Sequence, residues 1–468
     1  MDRAIRTTLL TTIAFTALAF GTVEAWSVAI FELLVVLIMA LWLVKSLAER
    51  RLEINIPKTA LPIIGLLIYG MIQGLGFRDS TGRMRSLSMD VESTRAAVAV
   101  IFFLLICFLA AATFFASPER TQSLSTFLVV FGAALAVFAL VQHFTWDGGI
   151  YWFRRIPLEG FGPFVNRDHF GGYMEMLAPI PIGLIVARAV PREQWPLYGF
   201  AAVLMGISIL ASLSRGGILS FIVALAFILV AGRRWRVRRP ESQRTVGALL
   251  VRGGAVVTIV VAIGIGMLWI GAGPLVNRAA FSLDQFKTDE SPSSYPGREG
   301  IWKDTWAIIR ANPIFGVGAG AYRTVFPIYS HYDDSYIVAQ SHNDYLQVLA
   351  DCGITGAALT VWFVVAVWRG ISTALGAHAS SVPGPALRDS RSLRSQAGMA
   401  IGGGAAVFAM LVHSLFDFNL QIPSNALLFM VLVAVVSAIG LAASRGTQKR
   451  QAEYRQVAKN AKQIGVAL

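Results

Sequence analysis

Several short stretches of this 468-residue chain combine arginine or histidine with glycine, and the first is Ser214-Arg215-Gly216-Gly217. It joins two apolar runs, so Arg215 should lie at or just below a membrane surface. An arginine there is costly unless it snorkels or is paired, while the glycines let the backbone turn tightly and approach a ligand. Two interpretations stay open. Either Arg215 holds an anionic headgroup such as a phosphate in bidentate geometry, or it is a snorkelling arginine without a further role.

Arg298 begins a second stretch, REGIWKDTWAIIR at 298–310, which predicts a helix with Trp302 one turn along. Asn312-Pro313 should end this helix, because a proline cannot continue the hydrogen-bond ladder and biases the preceding residue away from α. A cation at a helix N-terminus opposes the helix dipole, so helix stability does not explain Arg298. Either it neutralises an anion shared with that N-terminus, or it is a solvated loop arginine.

His342 lies in the stretch SHNDY, beside Asn343 and Asp344 and just before the next apolar run. An imidazole can accept or donate a proton near neutral pH, so a histidine at the mouth of a membrane domain is a candidate acid or base. The alternative is an ordinary polar residue at a helix start.

A further cluster, FVNRDHFGGY, enters the sixth apolar run and offers Arg167 and His169, with Glu175 further along that run. A carboxylate within a membrane span is a site hypothesis by default. The alternative is an interface belt of polar and aromatic residues. His413 and Asp417, in HSLFDFN at the end of the eleventh run, could close a cavity from another side.

Other site chemistries are not predicted. The alternating glycines of GVGAGAYRTVFP at 316–327 follow no strand, and Arg323 stands where no Walker lysine should be, which excludes a nucleotide loop. The chain has no HExxH, no paired Cys/His set, no clustered external carboxylates and no GxSxG, so neither a metal site nor a serine elbow is expected. Cys107 and Cys352 fall in or beside apolar runs and predict buried hydrophobes rather than a disulfide.

The candidates that remain are arginines, which can bind an anion, and a histidine, which can take a hydroxyl proton. Together they suit group transfer from a lipid-linked phosphate.

The elements that must position these residues are membrane helices. Hydrophobic residues make up 55% of the chain and charged residues 14%, against roughly a quarter charged in a soluble protein. The apolar residues cluster in runs of about 17 to 23, the length that crosses a hydrocarbon core, and backbone satisfaction within lipid makes these runs helical. We therefore predict an all-α polytopic membrane protein with about twelve spans. The predicted spans are 7–23, 26–44, 58–76, 96–116, 123–142, 170–189, 195–212, 217–232, 250–272, 346–368, 398–415 and 425–443.

Lys and Arg set the predicted orientation. The first run lacks a clean cleavage site and a second span follows at once, so we expect it to be retained. With the N-terminus in the cytoplasm, 26 of the 40 basic residues lie inside and 14 outside, and both termini are cytoplasmic. The basic run GRRWRVRRP at 232–240 and the basic tail at 444–468 are expected to contact anionic lipid headgroups, so the net charge of +13 does not imply nucleic acid.

The external basic residues concentrate at 77–95, 143–169, 212–217 and 273–345. The last segment is a loop of about 70 residues and a functional candidate by its length. The predicted organisation is helices 1 to 9 over 1–272, a catalytic external loop over 273–345, helices 10 to 12 over 346–443, and the tail.

The sequence resembles the O-antigen ligase and polymerase superfamily of bacterial envelope glycosyltransferases. The motifs that carry the resemblance are SRGG at 214–217, Arg298 with Trp302, GVGAGAYRTVFP at 316–327, SHNDYLQVLADCGITG at 341–356 and VNRDHFGGYMEM at 165–176. Their order, spacing and shared external placement make the match specific. Asp168 departs from the asparagine expected in the NRxHF variant, although Arg167 and His169 match.

The resemblance implies a GT-C-like, metal-independent and cofactor-free enzyme in the bacterial inner membrane. Such an enzyme takes a glycan from undecaprenyl diphosphate at the periplasmic face and inverts the anomeric centre. Arg215 and Arg298 would bind the diphosphate leaving group, and His342 would act on the acceptor hydroxyl as base or orient it. The further substrate contacts implied are Ser214, Gly216, Gly217, Arg167, His169, Arg323, Asn343 and Asp344.

The motifs do not choose the acceptor. A ligase attaching polysaccharide to a lipid A core, a polymerase of O-antigen or exopolysaccharide, and a protein O-oligosaccharyltransferase share the same face and leaving group. We favour the ligase slightly. A polysaccharide transporter or flippase is the alternative from another class, but it should carry charged residues near the bilayer midplane and repeat halves. Here most predicted spans lack ionisable residues in their middle, and the candidates lie at the outer lip.

Overall fold

The computed structural model describes residues 1–78, 84–155, 160–237, 297–331, 337–380 and 391–463, and these residues are mostly helical. The N-terminal part contains α1 (Asp2–Leu18), α2 (Ala25–Glu49), α3 (Ala60–Gln73), α4 (Val91–Phe114), α5 (Pro118–Phe144), α6 (Arg167–Leu177), α7 (Pro179–Val186), α8 (Trp195–Ala211) and α9 (Arg215–Val237). After the gap come α10 (Arg298–Ala311), α11 (Tyr322–Tyr329), α12 (Asp344–Ser380), α13 (Arg391–His413) and α14 (Pro423–Gln463).

Short elements fill the connections between these helices. Two antiparallel hairpins of two-residue strands precede α4 and α6, namely β1 (Phe77–Arg78) with β2 (Met84–Arg85), and β3 (Gly149–Ile150) with β4 (Arg154–Arg155). Single 3₁₀ turns lie at Phe20–Thr22, Arg192–Gln194 and Asn419–Gln421. The helix predicted at 298–310 is confirmed as α10, and it ends before Asn312-Pro313.

The chain is an all-α polytopic membrane protein. Within the described ranges, eight helices are long and apolar enough to cross a membrane: α2, α4, α5, α8 with the turn before it, α9, α12, α13 and α14. The predicted spans near α1 and α3 are helical but shorter, at 17 and 14 residues. The predicted span at 250–272, the last three residues of GRRWRVRRP (238–240) and residues 273–296 of the predicted external loop lie outside the described residues.

The span predicted at 170–189 is two helices rather than one. α6 ends at Leu177, and Pro179 is the first residue of α7. A proline is favourable at a first helical position because its missing N–H has no partner there anyway, whereas inside a helix it would break the ladder. All residues from 169 to 187 are buried. This pair of helices is therefore enclosed by the bundle. Burial is expected of α7, which is apolar on every side, whereas α6 also buries polar groups such as Glu175.

α7 and α13 cross with their backbones in close contact. An ideal Cβ on Gly183 would lie 2.5 Å from the nitrogen of Gly402 and 2.6 Å from the carbonyl oxygen of Gly398. Gly398 and Gly402 are four residues apart and so lie on one helix face, which is the small-xxx-small arrangement of membrane helix pairs. Because lipid provides no hydrophobic drive between helices, this close van der Waals contact is a main source of stability at the centre of the bundle.

α12 is bent at Gly353, whose backbone lies outside the helical region at φ +59°. The bend frees backbone groups that the segment 313–318 satisfies. The Ile354 N–H donates to the Pro313 carbonyl (2.9 Å), the Val317 N–H to that of Ala350 (3.0 Å) and the Gly318 N–H to that of Asp351 (2.9 Å). Irregular backbone next to a membrane span is tolerated where protein groups pair with it in this way.

We predict that Gly183→Ala destabilises the bundle, because its methyl group has no space against the α13 backbone. Overpacking of this kind costs about 1–3 kcal/mol. The midpoint of thermal unfolding in detergent, followed by light scattering or tryptophan fluorescence, should fall measurably. Gly199→Ala in α8 is the matched control, because a Cβ there meets nothing within 4 Å. Equal midpoints for the two variants would contradict the close α7–α13 crossing.

Candidate active site

The candidate residues from three parts of the chain meet at the segment 414–422, the connector between α13 and α14. Asp344, the first residue of α12, holds both ends of this connector. Its carboxylate accepts hydrogen bonds from the Ser414 hydroxyl (2.9 Å) and the Leu420 N–H (3.2 Å), and its own N–H donates to the Ser414 carbonyl (2.9 Å). The amide of Asn343 donates to the Leu415 carbonyl (2.9 Å). The start of α12 and the connector are therefore one unit.

His342 precedes this unit in a backbone conformation that L-residues rarely adopt, with φ +53°. Such a conformation costs of order 1–3 kcal/mol and persists only where its surroundings enforce it. Here Ser341 supplies that constraint. Its carbonyl accepts from Trp302 Nε1 (2.9 Å), its N–H donates to Gln347 Oε1 (2.8 Å) and its hydroxyl donates to the Asn343 carbonyl (2.8 Å). The position of the imidazole is thus fixed by the residue before it.

The connector supplies a carboxylate to His342. Asp417 Oδ1 lies 3.3 Å from His342 Nδ1, and the ring of Phe418 stands nearly perpendicular to the imidazole, with centroids 4.9 Å apart. The side chain of His342 is a quarter exposed, whereas that of Asp417 is buried. Because Nδ1 faces the carboxylate, the second ring nitrogen, Nε2, lies outside this contact.

Asp417 is held in its ionised form. Burial alone would raise the pKa of this carboxyl, but the hydrogen bond with His342 and the nearby His169 and His413 bring the pKa of Asp417 well below its ordinary value. A carboxylate next to Nδ1 favours the tautomer that carries its proton there. The arrangement therefore leaves a lone pair on Nε2 of His342, as general base chemistry requires.

Arg298 reaches the same region through Trp302. It is the exposed first residue of α10, and residues four apart share one face of a helix. Trp302 is bonded to the carbonyl of Ser341, so the first turn of α10 is fastened beside His342. The indole N–H is the contact that joins this turn to the residue before His342.

The Ser214-Arg215-Gly216-Gly217 turn begins α9. Ser214 is buried and caps the helix, with its hydroxyl accepting from the Gly217 N–H (3.2 Å) and its carbonyl from the Ile218 N–H (2.9 Å). Arg215 is exposed. An ideal Cβ on Gly217 would lie 3.2 Å from the Cα of Gly171 in α6, so the turn packs directly on the start of α6. The absence of side chains at Gly217 and Gly171 permits this close approach.

Gly216 connects the turn to the connector. An ideal Cβ there would overlap Nε2 of His413 and lie 2.6 Å from its Cδ2. His413 is the last residue of α13, immediately before the connector. The arginine turn therefore contacts the residue just before the connector, four positions before the Asp417 that pairs with His342.

The FVNRDHFGGY stretch contacts the connector as well. The side chain of Asn166 caps α6 by accepting from the Asp168 N–H (2.8 Å). The ring of His169 lies across Phe418 at 5.0 Å between centroids, and the His169 carbonyl accepts from Asn425 (2.9 Å). Phe418 thus stands between His169 and His342. Arg167 is half-buried at the first position of α6.

Arg323 lies elsewhere. Its neighbour Thr324 donates to Asp90 at the start of α4 (2.7 Å), which places the exposed Arg323 beside α4 rather than on the connector. The glycines before it are structural. A Cβ on Gly318 would lie 2.7 Å from that of Ser88, and one on Gly320 would lie 3.1 Å from the carbonyl oxygen of Ser93. Protein atoms occupy the space in which a nucleotide loop would hold phosphate.

Sequence reasoning missed several residues that build the site. Gln347, Ser414, Asn419 and Asn425 are buried polar residues within apolar runs or at their ends, and that contrast was the available signal. In the described parts of the chain, no group of three or more His, Cys, Asp or Glu residues could hold a metal ion.

Comparison with known proteins finds one family model that matches part of the chain. Residues 200–361 match a family model described as O-antigen ligase. The matched segment begins within α8 and ends within α12, and it includes Arg215, Arg298 and His342. Arg167 and the connector lie outside it. No curated protein matches the chain.

We predict that positions 215 and 298 are reached from one side of the membrane. Single cysteines replacing Arg215 and Arg298 should react with a membrane-impermeant maleimide from the same side, because both residues are exposed near one connector. Arg51→Cys, at the end of α2 with an exposed side chain, should react only from the other side. The native Cys107 and Cys352 are buried and should give little background. Labelling of 215 and 298 from opposite sides would refute the common site.

Proposed function

We propose that the chain, whose residues 200–361 match a family model described as O-antigen ligase, is a member of the O-antigen ligase and polymerase superfamily. It would transfer a glycan from undecaprenyl diphosphate to an acceptor hydroxyl at the periplasmic face of the bacterial inner membrane. The observation that carries this proposal is the His342–Asp417 pair, a half-buried imidazole beside an ionised carboxylate. The arginine turn at 214–217 and the first turn of α10 are held around the same connector.

The leaving group would be held by Arg215 and Arg298. Each arginine is the first residue of a helix, α9 and α10 respectively. Unpaired N–H groups and the helix dipole make such an end attractive to anions. A guanidinium placed there adds a bidentate donor for phosphate. Together they would stabilise the charge that develops on the diphosphate as the glycosidic bond breaks.

The acceptor would be activated by His342. Nε2 would take the proton of the attacking hydroxyl while Asp417 stabilises the imidazolium that forms on the Nδ1 side. The hydroxyl oxygen forms the new bond to the anomeric carbon, and the bond to the diphosphate oxygen breaks. Attack opposite the leaving group inverts the anomeric centre. Guanidinium groups face the diphosphate in this scheme, so the proposed reaction is metal-independent and needs no cofactor.

We favour the ligase form, with a lipid A core as acceptor. A polymerase, with a growing O-antigen or exopolysaccharide chain as acceptor, and a protein O-oligosaccharyltransferase would use the same donor and the same residues. In all three, Ser214, Gly216 and Gly217 shape the donor turn. Arg167 and His169 border the connector, and we retain them as substrate contacts. The contacts of Asn343 and Asp344 with the connector favour a positioning role for these two.

We predict that purified wild-type protein in detergent, with EDTA present, forms product from a lipid-linked glycan and an acceptor. His342→Ala, Arg215→Ala and Arg298→Ala should each lower the transfer rate by about 10² or more, the usual loss on removing a general base or an oxyanion donor. Mass spectrometry of the acceptor product identifies ligase, polymerase or protein transferase. Arg310→Ala, at the exposed end of α10, is the matched control.

Two results would overturn the proposal. Full activity of His342→Ala would remove the base, and a strict requirement for a divalent ion would contradict the guanidinium mechanism. Product formation without a membrane gradient would also exclude a pure transporter.

We predict that Asp417→Asn lowers kcat by about 10² or more while leaving the donor KM near the wild-type value. An amide beside Nδ1 no longer selects the productive tautomer, an effect that reaches about 10⁴ in serine proteases. Arg215→Ala should instead also raise the donor KM, because it removes a contact with the ground-state diphosphate. Matching KM changes in the two variants would refute this division of roles.

A further inference from the structure

A chain of buried hydrogen bonds lies beneath the arginine turn and takes no part in the proposed chemistry. The amide of Asn425 donates to Asn419 Oδ1 (2.7 Å), Asn419 Nδ2 lies 3.1 Å from His413 Nε2, and His413 Nδ1 lies 2.8 Å from Glu175 Oε2. The four side chains belong to residues with no exposed surface. They join α14, the connector, α13 and α6.

The direction of the donors along this chain is determined by its first bond. Because Asn419 Oδ1 accepts from Asn425, its Nδ2 must face His413, and an amide NH₂ can only donate. Nε2 of His413 is therefore the acceptor, so the ring hydrogen is on Nδ1 and points at Glu175. Asn425 is oriented in turn by donating to the His169 carbonyl (2.9 Å). Every bond in the chain thus has one allowed polarity, and the imidazole has one orientation.

The edge of the His413 ring that accepts from Asn419 is also the edge that touches Gly216. An ideal Cβ on Gly216 would overlap Nε2 and lie 3.1 Å from Cε1. Gly171 and Gly217 close the opposite side of the turn, with Gly217 packed against Gly171. The His413 imidazole on one side and Gly171 on the other therefore restrict the position of the backbone between Ser214 and Gly217.

We propose that His413 is a positioning residue, oriented by Glu175 and Asn419, that sets the location of Gly216 and so the reach of Arg215 toward the diphosphate. This inference rests on the proposed function, because it assigns a purpose to the placement of Arg215. The His413 ring then occupies the space that a side chain at position 216 would need. The absence of a side chain at one position is required by the ring at the other.

The test is a double-mutant cycle read by direct binding of undecaprenyl diphosphate to the purified protein. Gly216→Ala should weaken binding about tenfold and His413→Ala several-fold, and the two effects should be non-additive, as for residues in contact. The double variant Gly216→Ala/His413→Ala should bind better than Gly216→Ala alone, because the new methyl group occupies space that the ring has left. Gly199→Ala should bind as the wild type does.

A second pair of variants tests the orientation of the His413 ring separately from its volume. Glu175→Gln keeps an oxygen that can accept from Nδ1, whereas Glu175→Leu removes the acceptor and frees the ring. The glutamine variant should therefore weaken binding less than the leucine variant does. Thermal unfolding and gel filtration of each variant establish that folded protein is compared.

The outcomes separate the inference from the proposed function. If Arg215→Ala does not weaken diphosphate binding, the proposed function fails. If Arg215→Ala weakens binding but the Gly216–His413 cycle is additive, only the positioning role of His413 fails. Equal losses in Glu175→Gln and Glu175→Leu would also overturn that role, because charge rather than ring orientation would then be what matters.

Discussion

The site depends on one constraint, the attachment of the connector to the first residue of α12. The Asp344 carboxylate accepts from Ser414 and Leu420, which lie on either side of Asp417. These bonds fix both ends of the stretch that carries Asp417, and His342 is only two residues before Asp344. The separation of imidazole and carboxylate is therefore set by a hydrogen-bonded frame rather than by flexible loops. A buried carboxylate is expensive unless it is bonded, so the frame is strongly favoured over alternatives that leave it unpaired.

Close packing at glycines is the second constraint. It occurs at the centre of the bundle and again at the site. Gly183 lies against α13, Gly171 and Gly217 lie against each other, and Gly216 lies against His413. In lipid, helices gain little by hiding apolar surface from one another, so packing and hydrogen bonds decide how they associate. Contacts that admit no side chain have few alternative arrangements. Gly183 thereby holds two helices together, and Gly171, Gly216 and Gly217 hold the arginine turn in place.

Hydropathy and motif spacing predicted most of the architecture, because the bilayer imposes a length and a backbone requirement that are visible locally. The apolar runs that begin near residues 217 and 346 placed Arg215 and His342 just before spans, and Asn312-Pro313 marked the end of the helix at 298–310. The break at Pro179 and the bend at Gly353 were not predicted, since both residues lie inside long apolar runs whose hydropathy is unaffected. The pairing of His342 with Asp417, 75 residues away, depends on how α12 and α13 pack, and no local pattern encodes it.

The residues proposed to bind the diphosphate and the residue proposed to act as base differ in exposure. Arg215 and Arg298 are exposed, and His342 is partly enclosed against a buried carboxylate. A diphosphate at the membrane surface is a strong, roughly symmetrical anion, and a guanidinium on a long side chain can follow it over a range of positions. A hydroxyl proton must be removed along one short line, so the base needs a fixed ring and a defined tautomer. The hydrogen-bonded residues are therefore concentrated around His342 and Asp417, where the positions of the atoms must be most accurate. Around the arginines it is the backbone that is confined, by the contact of Gly216 with His413 beside Arg215 and by the Trp302–Ser341 hydrogen bond in the turn that carries Arg298.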